Sequence, residues 1–290
     1  MKPETRLLPY LALLAGMTCM AIAAIVVKWA NAPGAVSGFY RMAIAAAIFA
    51  LPFAREARRH SPLATRHVLL AALAGAFFAC DVALFYTSIL ITSAANATLF
   101  GNTSPVWVAL GSMVLFKEKL RPAFWGGVFL ALLGMAVILS QDFMTHPTLG
   151  IGDLLSLSAG FFYGTFFLIA QRARERLSPL IAWWISAVGS AATLLVMSFT
   201  FNQPLLCYPP ETYLNLVAVA LLAQVGGWLA INYALGHLRA SLIAPTLLGQ
   251  PVITALLAVP LLGQSLSAVQ VLGGLLVLSG IYIVHRTKTT

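Results

Sequence analysis

Ten runs of apolar residues follow one another along the chain, at about 7–30, 34–54, 67–91, 94–116, 122–140, 150–172, 179–200, 212–236, 240–262 and 267–285. Each is close to the ~20 residues that an α-helix needs to cross a hydrocarbon layer of ~30 Å. Polar residues gather in the short gaps, and no gap is long enough for a soluble domain. Alternation with a period of two is missing, which excludes a barrel. Backbone groups in lipid must be satisfied within their own segment, so the runs are expected to be helices.

Composition agrees. Hydrophobic residues make up 60% of the 290 and charged residues 9%, against about 25% charged in a soluble domain. The net charge of +9 does not point to nucleic acid, because the cations sit in short clusters between apolar runs. They also segregate. With the N-terminus inside, the inner segments hold Lys2, Arg6, Arg55, Arg58, Arg59, Arg66, Lys117, Lys119, Arg121, Arg172, Arg174, Arg176, Arg239, Arg286 and Lys288. The outer loops hold none, and Lys28 and Arg41 fall within runs. By the positive-inside rule both termini are expected on the cytoplasmic side. The first run extends from about Leu7 to Val27, longer than a signal-peptide core, and reads as a retained helix. Cys19, Cys80 and Cys207 have neither metal-ligand spacing nor the number for a disulfide framework.

The chain repeats itself. Placing Pro105 on Pro251, an offset of 146, also places Leu120 on Leu266, Gly127 on Gly273, Gly134 on Gly280 and Glu118 on Gln264. Tyr86 meets Tyr233 after one residue of slip. Runs four and five thus match runs nine and ten. A unit of five helices is odd, so its second copy enters the membrane the other way round, an arrangement shared by many secondary transporters. The fold class expected is all-α integral membrane, with two inverted five-helix repeats at 1–143 and 144–290.

Candidate functional residues cluster near paired helix breakers. Run four contains Gly101-Asn102-Thr103-Ser104-Pro105, and run nine contains Pro245 and then Gly249-Gln250-Pro251. Interrupted helices at matching places in two halves point to a transport site; an ordinary kink is the other reading. Asn96, Phe100, Thr103 and Trp107 share one helical face, as do Gln224, Trp228 and Asn232. Amides interleaved with rings suit a small zwitterion or an aromatic ligand, or else bond helix to helix. Tyr86 and Tyr163 lie at mid-membrane depth. Asp81 is ~15 Å from the outer end of its run, at 1.5 Å per residue. A carboxylate there could hold a substrate amine, carry a proton or pair with Arg41. Arg41 has two readings, a substrate carboxylate ligand or a structural charge. Lys28 reads as snorkelling, and Trp183, Trp184 and Tyr233 as an interfacial belt. Glu118 reads as a surface ion pair or a helix start. Ser156, Gly160 and Gly164 recur every four residues, the spacing of a close helix contact.

No phosphate-binding loop, H-E-x-x-H or G-x-S-x-G occurs. No enzyme, cofactor or metal is expected.

The stretch LFYTSILITSAANATLFGNTSPVWVALGSMVLFKEKLRPAFWGGVFLALLGMAVIL, Leu84 to Leu139, resembles the EamA-type module of the drug/metabolite transporter superfamily. Its marks here are Tyr86, Pro105, Glu118, Gly127 and Gly134. The second half repeats the module from Asn232 on, with Gln264 where glutamate is usual, and Phe39-Tyr40-Arg41 looks like the arginine of the module's second helix. The resemblance implies ten helices around a central cavity that opens alternately to either side. The overall likeness is greatest to the aromatic amino acid exporter group. The expected activity is therefore export of amino acids, aromatic ones included, across the inner membrane. Tyr86, Asn96, Asn102, Trp107, Tyr163 and Trp228 are the candidate substrate contacts, and Asp81 with Arg41 the candidate coupling or charge pair. Partners are a small-molecule substrate and membrane lipid, with no nucleic acid and a monomer as the working state. Efflux of drugs or another small metabolite is the alternative within this class; a non-transporting receptor is the alternative outside it.

Overall fold

A computed structural model describes residues 4–26, 34–140, 150–262 and 266–287. Lys2, Lys28, Gln264, Lys288 and the 143/144 boundary lie outside the described residues. Every regular element among those described is helical. In chain order these are α1 (Glu4–Val26), α2 (Gly34–Ile48), α3 (Ala50–Arg59), α4 (Thr65–Ile91), α5 (Ala94–Gly101), α6 (Ser104–Leu115), α7 (Pro122–Ile138), α8 (Ile151–Arg174) and α9 (Pro179–Thr200). There follow α10 (Pro210–Val219), a π-helical stretch Ala220–Trp228, α11 (Leu229–Leu235), α12 (Ala240–Leu247), α13 (Gln250–Leu262) and α14 (Ala268–Arg286).

Six of these segments are long and apolar enough to cross a membrane: α4, α8, α9, Pro210–Leu235, Ala240–Leu261 and α14. The pair α2 and α3 makes a seventh if taken as one span. The other apolar runs form shorter or interrupted helices, among them Leu7–Ala23 and Pro122–Ile138. Large apolar side chains cover the outside, with Leu90 83% exposed and Val114 77%. Only a solvent of acyl chains tolerates such a surface over many turns.

The second run was expected to continue to about residue 54. The helix instead stops at Ile48 and turns by 56° into α3. Pro52 is the cause in the sequence: it lacks an N–H, and its ring clashes with the carbonyl four residues back, that of Ile48. The eighth run holds a further departure. Its middle is π-helical over nine residues, a form that is rare at this length and concentrates at functional sites.

Helix boundaries recur along the chain. Residues 94 and 240, 101 and 247, 104 and 250, and 122 and 268 bound corresponding helices, each pair 146 apart. The interruptions fall at 102–103 and 248–249, the same place in both copies. Pro105 and Pro251 each become the second residue of the restarted helix, where a missing N–H costs nothing.

The described chain divides into two compact units. One takes the residues up to Ala83 together with Ile169–Arg239; the other takes Leu84–Leu168 together with the residues from Ala240 on. Each unit therefore draws helices from both halves of the sequence.

In the first unit, α4 and α9 run parallel. Ser186 donates to the Ala71 carbonyl at 2.8 Å and Ser190 to that of Gly75 at 2.7 Å. Helices α2 and α9 are antiparallel, with the Trp184 indole on the Ala46 carbonyl at 2.8 Å and Gly38 against Leu194. Trp183, expected in an interfacial belt, is buried, its ring edge-on to Phe49 at 5.5 Å.

In the second unit, α7 and α14 are antiparallel and close. A methyl group placed on Gly134 would come within 2.6 Å of the Gly273 carbonyl oxygen, and one on Gly127 within 2.8 Å of that of Gly280. Glycine 127 corresponds to 273 in the repeat and 134 to 280. Each glycine therefore packs against the counterpart of the other, the reciprocal pattern of a two-fold contact.

Van der Waals contact between backbones holds such pairs in lipid. Gly134→Ala should therefore destabilise the chain by about 1–3 kcal/mol through overpacking. Gly126→Ala, where an added methyl meets nothing within 4 Å, should leave the melting temperature in detergent unchanged or raised.

Candidate functional site

The interrupted helix α5–α6 supplies the centre of the candidate site. Ser93 caps it, its hydroxyl accepting from the Asn96 N–H at 3.0 Å. At the interruption the freed carbonyls are met locally. The Asn102 side-chain amide donates to the Thr98 carbonyl at 2.7 Å and the Thr103 hydroxyl to that of Phe100 at 2.6 Å. Asn102 thus spends a donor on its own backbone.

Helix α8 runs parallel beside it, and Ser156, Gly160 and Gly164 form the contact face. Ser156 donates to the Ala97 carbonyl. A methyl on Gly160 would meet the Thr103 hydroxyl at 2.6 Å, and one on Gly164 the Trp107 Cβ at 2.8 Å. The close approach fixes α5–α6 and sets the Trp107 ring edge-on to Phe161 at 5.4 Å. Tyr163, next to this face, stacks parallel to Phe166 at 6.2 Å. Tyr86 lies edge-on to Phe85 at 6.0 Å.

Two polar atoms on this helix have no partner. The Asn96 side-chain amide oxygen and the Trp107 indole N–H are both buried and unbonded, and Asn96 is 1% exposed. A buried polar group left unbonded costs about 1–3 kcal/mol. Native proteins keep few such groups, and those kept call for an explanation such as a ligand or water.

The remaining candidates lie in the other unit. Trp228 closes the π-helical stretch, buried, its ring edge-on to Phe78 at 5.0 Å. Gln224 and Asn232 are buried with it, and Asn232 donates to the Trp228 carbonyl at 3.1 Å. The Arg41 Nε and the Ser37 hydroxyl, one helical turn apart on α2, are buried without partners. Among the described residues no ion pair joins Arg41 to Asp81.

Three polar contacts in the second unit were not legible as such. Glu118, expected at the surface, is 8% exposed and accepts from the Ser241 hydroxyl at 2.6 Å. It ties the chain after α6 to the start of α12. Its position between Lys117 and Lys119 concealed this, because clustered lysines mark a solvated loop. The Thr246 hydroxyl donates to the Leu242 carbonyl at 2.6 Å, so it must accept from the His285 Nε2–H at 2.7 Å. Asp153 accepts from the Thr92 hydroxyl and the Gly150 N–H, both at 2.8 Å, fixing the start of α8. No group of three or more His, Cys, Asp or Glu side chains able to hold a metal occurs among the described residues.

The profile of the EamA-like transporter family matches residues 7–140 and 150–286. The chain belongs to that family. It is a multi-pass membrane transporter and not an enzyme. A probable amino-acid metabolite efflux pump of Salmonella typhimurium is 28% identical over 187 residues, 61% of this chain and 62% of that protein. A protein of the same description in Escherichia coli is 27% identical over 61% and 62%. An uncharacterized transporter of Archaeoglobus fulgidus is 26% identical over 66% and 67%. The chain thus spans little more than three fifths of the two efflux pumps. One solved crystal structure superposes with a TM-score of 0.77 at 17% identity, covering 98% of this chain and 96% of that one; the likeness is one of fold.

The Glu118–Ser241 bond gives a stability test. Ser241→Ala leaves a buried carboxylate short of a donor, at a cost of about 1–3 kcal/mol. Its melting temperature in detergent should fall, and Ser241→Thr should restore part of the loss.

Proposed function

We propose that the chain is a secondary exporter of amino acids, aromatic ones included, which exposes one substrate site alternately to either side of the inner membrane. On this reading it crosses ten times, as inverted repeats 1–143 and 144–290, with both termini cytoplasmic. The 146-residue recurrence of helix boundaries supports the repeat. So do the parallel pairs α4/α9 and α5–α6/α8 and the antiparallel pairs α2/α9 and α7/α14, whose senses are those that alternating crossings require.

The observation that carries the substrate reading is the pair of unbonded atoms on the broken helix, the Asn96 oxygen and the Trp107 N–H. One accepts and one donates, beside an aromatic surface. An ammonium suits the first and a carboxylate the second; about 16 Å of helix separates residues 96 and 107, so an amino acid engages them in succession along its path, with its side chain against Trp107, Tyr86 or Tyr163. The two efflux pumps are described by their names as moving amino-acid metabolites, which agrees in class. Drug or other metabolite efflux would use the same face with less demand on its polar atoms.

Vesicles containing the purified protein and loaded with labelled amino acids should release them. Release no faster than from protein-free vesicles, for every amino acid tried, rules the proposal out. Trp107→Phe keeps the ring and removes the N–H. It should raise KM about 2- to 10-fold, the worth of one hydrogen bond, with at most the small fall in melting temperature that a trimmed ring costs.

Asp81 is the proposed proton carrier. Asp81→Asn should flatten the pH dependence of release; a profile like the parent's would remove it from that role.

A further inference from the structure

Helix α3 is strongly amphipathic. At about 100° per residue, Arg58, Arg55 and Arg59 fall within an arc of roughly 100°. Glu56 stands at its edge, and Phe53 and Ala57 lie beyond. Burial follows the same order. The three arginines are exposed, and Glu56, Phe53 and Ala57 are half-buried. The helix is pinned by Phe53, which stacks on Trp184 at 3.8 Å with the planes 12° apart. Trp184 is itself held by the Ala46 carbonyl. No ion pair engages the three arginines among the described residues.

Beside α3, in the same unit, lies a largely apolar groove of about 460 Å³. Its walls include Ala12, Leu180, Gly226, Leu229 and Tyr233, and Glu56 borders it. An open apolar groove bordered by Glu56, on a helix whose outer face carries three guanidinium groups without ion pairs among the described residues, matches an amphiphile carrying an anion. Guanidinium forks suit phosphate oxygens. Amphipathic basic helices at a membrane surface recruit anionic lipid.

We propose that α3 and this groove form a specific binding site for an anionic phospholipid of the phosphatidylglycerol type. Arg55 and Arg59, one turn apart, hold the phosphate, and Arg58 adds field. One acyl chain fills the groove. Glu56 accepts a hydrogen bond from a headgroup hydroxyl, which a choline headgroup cannot give. The site is independent of the transport reading.

The test uses the full chain, stripped of lipid in detergent, with dioleoyl phosphatidylglycerol, dioleoyl phosphatidylcholine and inorganic phosphate as separate probes in native mass spectrometry. Phosphatidylglycerol should bind in preference to phosphatidylcholine. Its affinity should fall roughly 25-fold in R55Q/R59Q, about fivefold per arginine, and stay unchanged in R121Q. The exposed arginines can be replaced without unfolding the chain, which a melting curve checks. Ala230 also lines the groove; Ala230→Phe, which fills it, should weaken the phospholipid as well. Equal binding of the two lipids, or full affinity in R55Q/R59Q, overturns the proposal. Displacement of the lipid by inorganic phosphate also overturns it and assigns the arginines to a free anion.

Discussion

The fold depends on helix backbones touching. Lipid tails are as apolar as leucine, so no hydrophobic effect drives these helices together. Cohesion has to come from dispersion at very short range, and that requires an absence of side chains. The contacts of Gly127 and Gly134 with Gly280 and Gly273, and of Ser156, Gly160 and Gly164 with α5–α6, meet this requirement. Serines do similar work in the other unit, where Ser186 and Ser190 bond backbone carbonyls of α4. Larger residues on these faces would push the helices apart by the width of a methyl group.

Such tight packing makes the exceptions meaningful. Most buried polar atoms here are bonded, often to the backbone of the same helix, as with Asn102, Thr103 and Asn232. The Asn96 oxygen and the Trp107 N–H are not. They lie on either side of a helix interruption, close to the α8 contact face that fixes the helix in place. Rigid placement of unsatisfied groups is what the proposed substrate site requires.

Much of the architecture could be read from the sequence, because membrane solvent leaves it few options. The apolar runs marked the helices, and the offset that aligned Pro105 with Pro251 also located both interruptions. The face Ser156, Gly160 and Gly164 was recognisable as a contact from its spacing alone. What escaped notice was set by tertiary neighbours. The burial of Glu118 depends on Ser241, 123 residues away, while its sequence neighbours are lysines. Trp183 looked interfacial by depth but is enclosed by Phe49. The turn before α3 follows from Pro52, whose effect falls four residues upstream of itself. The π-helical stretch left only the weak local signal of Gly226-Gly227, which loosens an α-helix without specifying wider turns.

The equal placement of the interruptions in α5–α6 and α12–α13 has an energetic consequence. On the proposed inverted topology a two-fold rotation in the membrane plane relates the copies, and each conformation has a partner in which the copies exchange roles. To the extent that the copies match, the members of a pair have equal free energy, whatever barrier separates them. A resting preference can then arise only from positions where the copies differ. Glutamate 118 against glutamine 264 is such a position, so on the proposed mechanism a single carboxyl group sets the preference between the two.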